Sequence, residues 1–131
     1  MSAERPLGAV VDIPRLLLRL EGAALFLGAA FFYWRFDGPR LWFATLFLAP
    51  DLAFLAYLVS PRFGAIAYNV LHATLGPLAF LALSAWFGWG PARPIALIWL
   101  AHVGFDRALG YGLKYATAFG DTHLGRIGKP Q

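Results

Sequence analysis

Apolar positions fill four long stretches of the chain, at about residues 14–36, 41–59, 63–88 and 93–113, with few polar residues inside them. Each approaches the roughly 20 residues a helix needs to cross the hydrocarbon core of a bilayer. The breaks are short and marked by glycine or proline: "FDGPR", "SPR" and "GWGPARP". Such punctuation ends helices, and connections this short leave consecutive helices side by side and antiparallel. The pattern predicts an all-α fold: one domain over 1–131, an integral membrane four-helix up-and-down bundle with a short C-terminal tail. The first stretch is longer than the apolar region of a signal peptide and ends in "FFYWRF", so it is expected to be retained.

Composition sharpens this picture. The chain is 60% hydrophobic and 14% charged, against roughly 45–50% and about 25% in soluble domains. A net charge of +4 would suit nucleic acid if it were clustered, but the basic residues lie scattered at segment ends, so no nucleic-acid partner is expected. They act instead as topology signals. Arg5, Arg15, Arg19, Arg62, Arg107, Lys114, Arg126 and Lys129 fall on one side of the spans, and Arg35, Arg40 and Arg93 on the other. The positive-inside rule then predicts a multi-pass protein of the cell inner membrane with both termini cytoplasmic. Tyr33, Trp34, Trp42, Trp86 and Trp89 would form the outer aromatic belt. With no cysteine, any metal must be held by His, Asp or Glu.

The polar exceptions carry the chemistry. Counted from the cytoplasmic ends at about 1.5 Å per residue, Glu21, Asp51, His72, His102 and Asp106 all fall roughly 10–16 Å deep. A charge at the middle of a span costs about 2.5–3.5 kcal/mol, so five such groups at one height should face inward and meet. His102 and Asp106 share a helix face at i, i+4, and Ala65, Tyr68, Asn69, His72 and Gly76 make a small-and-polar stripe on the third span. Pro50 and Pro77 each remove a backbone bond, freeing the carbonyls of Leu46 and Ala73 near Asp51 and His72.

These groups suit a divalent metal, zinc, manganese or iron, with His72, His102 and Asp106 as ligands and Glu21 or Asp51 as general base. Water at such a site could attack an ester or phosphodiester of a lipid. Arg107, Tyr111 and Lys114, with Asn69, are the expected substrate-binding groups, placed to hold an anionic headgroup. Two other classes stay open: a small proton-coupled transporter, and a structural or accessory subunit whose polar pairs are interhelical glue. Membrane lipids are the expected partners, and Ala24 with Gly28 has the spacing of a homodimer face. Asp121 and His123 in "AFGDTHLGRIGKPQ" would contribute if the tail closed the cavity from below, although a solvated, partly ordered tail is the usual state of a terminus. Ser60 and Ser84 lack the context of a nucleophilic serine, and Gly110 and Gly112 follow no strand.

The motifs "LLRLEG" (17–22), "APDL" (49–52), "YNVLHA" (68–73), "IWLAHVGFDRALGYGLKY" (98–115) and "DTHLGRIG" (121–128) together resemble a bacterial family of small membrane proteins, domain of unknown function 4260. The resemblance spans about residues 15–128 and implies a compact integral membrane protein of four spans. It implies no activity, substrate or cofactor. Its motifs coincide with Glu21, Asp51, His72, His102, Asp106, Asp121 and His123.

Overall fold

A computed structural model of the chain describes residues 8–116 and 119–127; Arg5 and Lys129 of the charge count lie outside them. The helices are α1 (Asp12–Arg35), α2 (Arg40–Leu46), a 3-10 segment (Ala49–Leu58), α3 (Pro61–His72), α4 (Leu75–Phe87) and α5 (Ala92–Leu109). A two-stranded hairpin, β1 (Asp121–Thr122) and β2 (Gly125–Arg126), follows. The fold among the described residues is all-α apart from this hairpin.

Asp12–Arg35 and the run Arg40–Leu58 are long and apolar enough to cross a membrane, and α3 with α4, bent by 42°, makes a third if the pair is one broken span. The fourth predicted stretch differs. Helix α5 has 18 residues, carries Arg93, Asp106 and Arg107, and runs through the middle of the fold with nine buried residues. Most of its apolar positions face protein, Phe105 and Leu109 excepted. Large hydrophobic side chains on the other helices point outward instead, among them Leu27, Phe31, Leu52, Leu58, Leu75 and Trp86, as expected where the surrounding medium is lipid.

Helix α5 packs along α1 and against α4. The α1 contact is set by two glycines: a Cβ on Gly22 would overlap Arg107 Cβ, and one on Gly104 would lie 2.6 Å from Phe26 N and 2.7 Å from Gly22 O. The backbones therefore touch, a small-residue contact typical of membrane helices. Around Gly28 a Cβ would meet nothing within 4 Å among the described residues, so no described helix covers that position of α1.

The second and third stretches are both broken, near the two prolines. Residues 47 and 48 interrupt the second, and Pro50 opens the 3-10 segment. In the third, Pro77 has no N–H for the Ala73 carbonyl, and the chain leaves helical geometry at Ala73 (ψ 145°). That break leaves the carbonyls of Leu71 and His72 without helical partners. Both are recovered from α5, where Trp99 Nε1 donates to Leu71 O at 2.6 Å and Arg107 Nη2 donates to His72 O at 3.0 Å.

The tail departs from the solvated terminus expected above. Leu124 and Thr122 are fully buried. The Val10 N–H donates to His123 O at 2.8 Å, His123 N–H to Leu113 O at 3.0 Å, and Arg15 Nε to Leu124 O at 2.6 Å. The hairpin thus closes one end of the helices, because its backbone groups find partners there.

Candidate metal centre

The 3-10 segment and α3 run antiparallel, and their different periods bring the site together. Three residues per turn align Asp51, Phe54 and Tyr57 in one row. The i, i+4 spacing of α3 aligns His72, Tyr68 and Gly64 opposite them. The rows meet in order: Tyr57 lies against Gly64, the Phe54 and Tyr68 rings stack with centroids 5.5 Å apart, and Asp51 Oδ1 is 3.2 Å from His72 Nε2. Helix α5 adds His102 and Asp106 from its own i, i+4 face, 3.2 Å apart.

Four donor atoms converge. His72 and His102 Nε2 are 3.0 Å apart, His102 Nε2 is 3.2 Å from Asp51 Oδ1, and His72 Nε2 is 3.4 Å from Asp106 Oδ2. The two carboxylate oxygens lie within 4.8 Å of one another. Zinc–nitrogen and zinc–oxygen bonds of about 2.0–2.2 Å in a tetrahedron place ligand atoms roughly 3.3–3.6 Å apart. Five of the six edges here are 3.0–3.4 Å, close to that spacing, and the carboxylate–carboxylate edge stays within 4.8 Å.

The outer shell prepares the ligands. His72 Nδ1 faces the Tyr68 carbonyl at 2.9 Å; since a carbonyl only accepts, this nitrogen carries the proton and the neutral ring turns its Nε2 lone pair to the centre. Tyr68 also stacks face to face on the His72 ring at 3.7 Å. The Phe47 ring packs edge-on against His102 at 5.3 Å. His102 Nδ1 is buried without a hydrogen bond of good geometry, with the Phe47 backbone beside it. Lone pairs and carboxylate oxygens crowded together in this way repel unless a cation or shared protons join them.

Of the residues singled out in the sequence, Asp51, His72, His102 and Asp106 come together, and Glu21 does not. Glu21 is exposed on α1 because its neighbour Gly22 takes the face against α5, one residue and about 100° around the helix. Arg107 binds the His72 carbonyl and sits 3.4 Å from His123 Nε2, so it is turned into the fold and does not reach out to the interface. Asn69 and Lys114 hold one another: Asn69 Nδ2 donates to Lys114 O at 2.8 Å and Lys114 N–H donates to Asn69 Oδ1 at 2.7 Å. The Lys114 amine donates to Phe119 O at 2.6 Å and lies 3.7 Å from the Phe119 ring centre and 4.7 Å from that of Tyr68. Burial pushes it down to about 8. Tyr111 is exposed. His123 Nδ1 accepts from the Leu113 N–H at 2.8 Å, and burial together with the Arg107 charge holds its ring below the usual histidine range. Asp121 pairs through its backbone carbonyl with Tyr115 N–H at 2.8 Å.

Trp99, Tyr68 and Phe47 were not legible as parts of the site. The available signal was the proline: freed carbonyls within a span need donors, and Trp99 and Arg107 bracket His102 on the helix that supplies them.

The chain belongs to the family described as Domain of unknown function (DUF4260), whose profile matches residues 15–127. No curated protein and no solved structure matches it.

Proposed function

We propose that the protein is an integral membrane metalloenzyme that holds one divalent cation, zinc by its donor set, and hydrolyses an ester or phosphoester of a membrane amphiphile. The observation carrying this reading is the convergence of one donor atom each from His72, His102, Asp51 and Asp106 within 4.8 Å of one another, five of the six separations being 3.0–3.4 Å. Two carboxylates and two neutral imidazoles balance a dication, which a low-dielectric interior strongly favours over unpaired charges. A bound divalent cation acidifies coordinated water and polarises a carbonyl or phosphoryl oxygen.

His72, His102 and Asp106 are the permanent ligands in this reading. Asp51 is the group that exchanges, since its side chain is 33% exposed against 1–15% for the others. In the reaction, water supplies the attacking oxygen and Asp51 takes its proton. Asp51 then returns that proton to the departing alkoxide as the C–O or P–O bond breaks, which regenerates the carboxylate. Arg107, Asn69, Lys114 and the hairpin with Asp121 and His123 form the floor that fixes the ligands.

The bundle is proposed to cross the inner membrane four times, with both termini cytoplasmic and lipid around it, leaving the Ala24–Gly28 face for a second copy. A second reading, a purely structural metal, is favoured by Asp51 Oδ1 already standing at ligand distance from both imidazoles.

Elemental analysis of detergent-purified protein tests both. Wild type is expected to carry about one equivalent of zinc, manganese or iron, and His102→Ala none. Asp51→Ala should keep the metal and lose hydrolysis of a p-nitrophenyl ester. Wild type that takes up no metal after loading overturns the proposal, and Asp51→Ala protein that loses its metal selects the structural reading.

A further inference from the structure

An apolar cleft of about 220 Å³ adjoins the cluster, lined by Leu46, Pro50, Leu71, Ile95, Ile98 and Trp99. Three of these residues are tied to ligands in the chain: Pro50 precedes Asp51, Leu71 precedes His72, and Ile98 lies one turn before His102. Beside the cleft the Trp99 indole reaches across to the Leu71 carbonyl freed by the α3–α4 break. Enclosed apolar voids of about 150 Å³ accept small hydrocarbons; this cleft has comparable room but is open along one side. Leu46 on its flank is 37% exposed. Along α5, Ile95 and Ile98 precede His102 by seven and four residues, so the cleft extends about 6–10 Å from the cluster along the helix axis. With both termini cytoplasmic, that direction leads toward the bilayer midplane.

We infer that the cleft holds the hydrocarbon chain of a single-chain amphiphile, a fatty-acyl ester by chemical class, whose polar linkage lies at the Asp51–His72–His102–Asp106 cluster. The inference rests on the metal-centre reading above. A lipid in the cytoplasmic leaflet presents this arrangement, with its head in the half nearer the cytoplasm and its chain running inward. It enters past Leu46, slides its chain between Pro50 and Ile98, and so places its linkage beside Asp51, the most exposed ligand.

The test uses cobalt-loaded full-length protein in phosphatidylcholine nanodiscs, with acetohydroxamate and octanohydroxamate as probes that share a metal-binding head and differ in chain length. Binding is read from the cobalt absorption bands. The ratio of octano- to acetohydroxamate affinity should fall at least tenfold in Leu71→Trp and in Ile95→Trp, each compared at equal cobalt content, so partition into the nanodisc cancels. The two variants fill the cleft from different helices, so one that fails to fold leaves the other. An unchanged ratio in a cobalt-loaded variant overturns the inference, as does a wild type whose cobalt bands respond to neither probe. A wild type that binds no cobalt fails earlier, and that failure belongs to the metal reading.

Discussion

Depth along a helix and rotation about it are separate coordinates, and the residues of the site show which of them a sequence conveys. Glu21 shares its depth with Asp51, His72, His102 and Asp106, but its rotation follows from Gly22 seeking α5, which composition and spacing do not reveal. His102 and Asp106 were legible together because i, i+4 fixes depth and rotation at once. Glu21→Gln is therefore expected to keep its full metal content while Asp106→Asn loses at least tenfold in affinity, measured by competition with a chelator. Equal losses would place Glu21 in the centre after all. Lys114 yields a prediction of a different kind. Burial holds its amine at about 8, against about 10.4 for a free lysine, so between these values the folded chain binds fewer protons than the unfolded one. Stability rises with pH through that window, and below it the cost of burying the charge is carried in full. The thermal midpoint of wild type should climb more steeply from pH 8 to 10 than that of Lys114→Met. Parallel curves would show an amine that titrates as if exposed.

Among the elements, the helices were legible as apolar stretches, but their interruptions decide the site. Pro50 and Pro77 were visible as kinks; what they do depends on a 3-10 row of Asp51, Phe54 and Tyr57 falling in step with an α-helical row of His72, Tyr68 and Gly64, a match of two periods that no single stretch displays. The α1–α5 contact was likewise hidden, since Gly22 and Gly104 lie far apart in the chain and the visible small-residue pair was Ala24 with Gly28. Gly22→Ala should lower stability by about 1–3 kcal/mol through overpacking. Gly28→Ala, with nothing within 4 Å, should be neutral or gain up to about 1 kcal/mol of helix propensity. Thermal melts of the two variants in one detergent check this, and similar melts would mean the helices do not touch at Gly22. In the hairpin, His123 accepts the Leu113 N–H through Nδ1 and its ring titrates below the usual histidine range. The folded chain then binds fewer protons than the unfolded one just below about pH 6.5, so stability is present above that value and is lost as the pH falls. Protonation turns the Nδ1 acceptor into a donor and sets it against the Leu113 N–H. The protection factors of the amides of Leu113, His123 and Leu124, corrected for the intrinsic slowing of exchange in acid, should fall on acidification from pH 7 to 5, and His123→Gln should remove that fall.

At the scale of the whole molecule, the docked hairpin constrains topology independently of charge counting. Val10 and Arg15, at the start of α1, bond directly to His123 and Leu124 beyond the end of α5, and Arg19 Nε donates to Ala108 O at 2.9 Å in the last turn of α5. Ends joined in this way predict same-side termini in a membrane, and hence an even number of crossings. Length and hydropathy alone allow two spans, or three with the bent α3–α4 pair, and three is odd. If the bent pair crosses, α5 must cross as well, its charged residues shielded by the helices around it. In that case same-side termini require four crossings. The chain has no cysteine, so single cysteines report sidedness without background. Arg62→Cys and Ala116→Cys should react with an impermeant maleimide only from the side of the termini, and Gly90→Cys, where a side chain meets nothing within 4 Å, only from the opposite side. Labelling of Gly90→Cys from the same side as Arg62→Cys would mean that the bent pair turns back within the bilayer. Two crossings would then satisfy the parity, and α5 with its half of the metal site would lie against the membrane without spanning it.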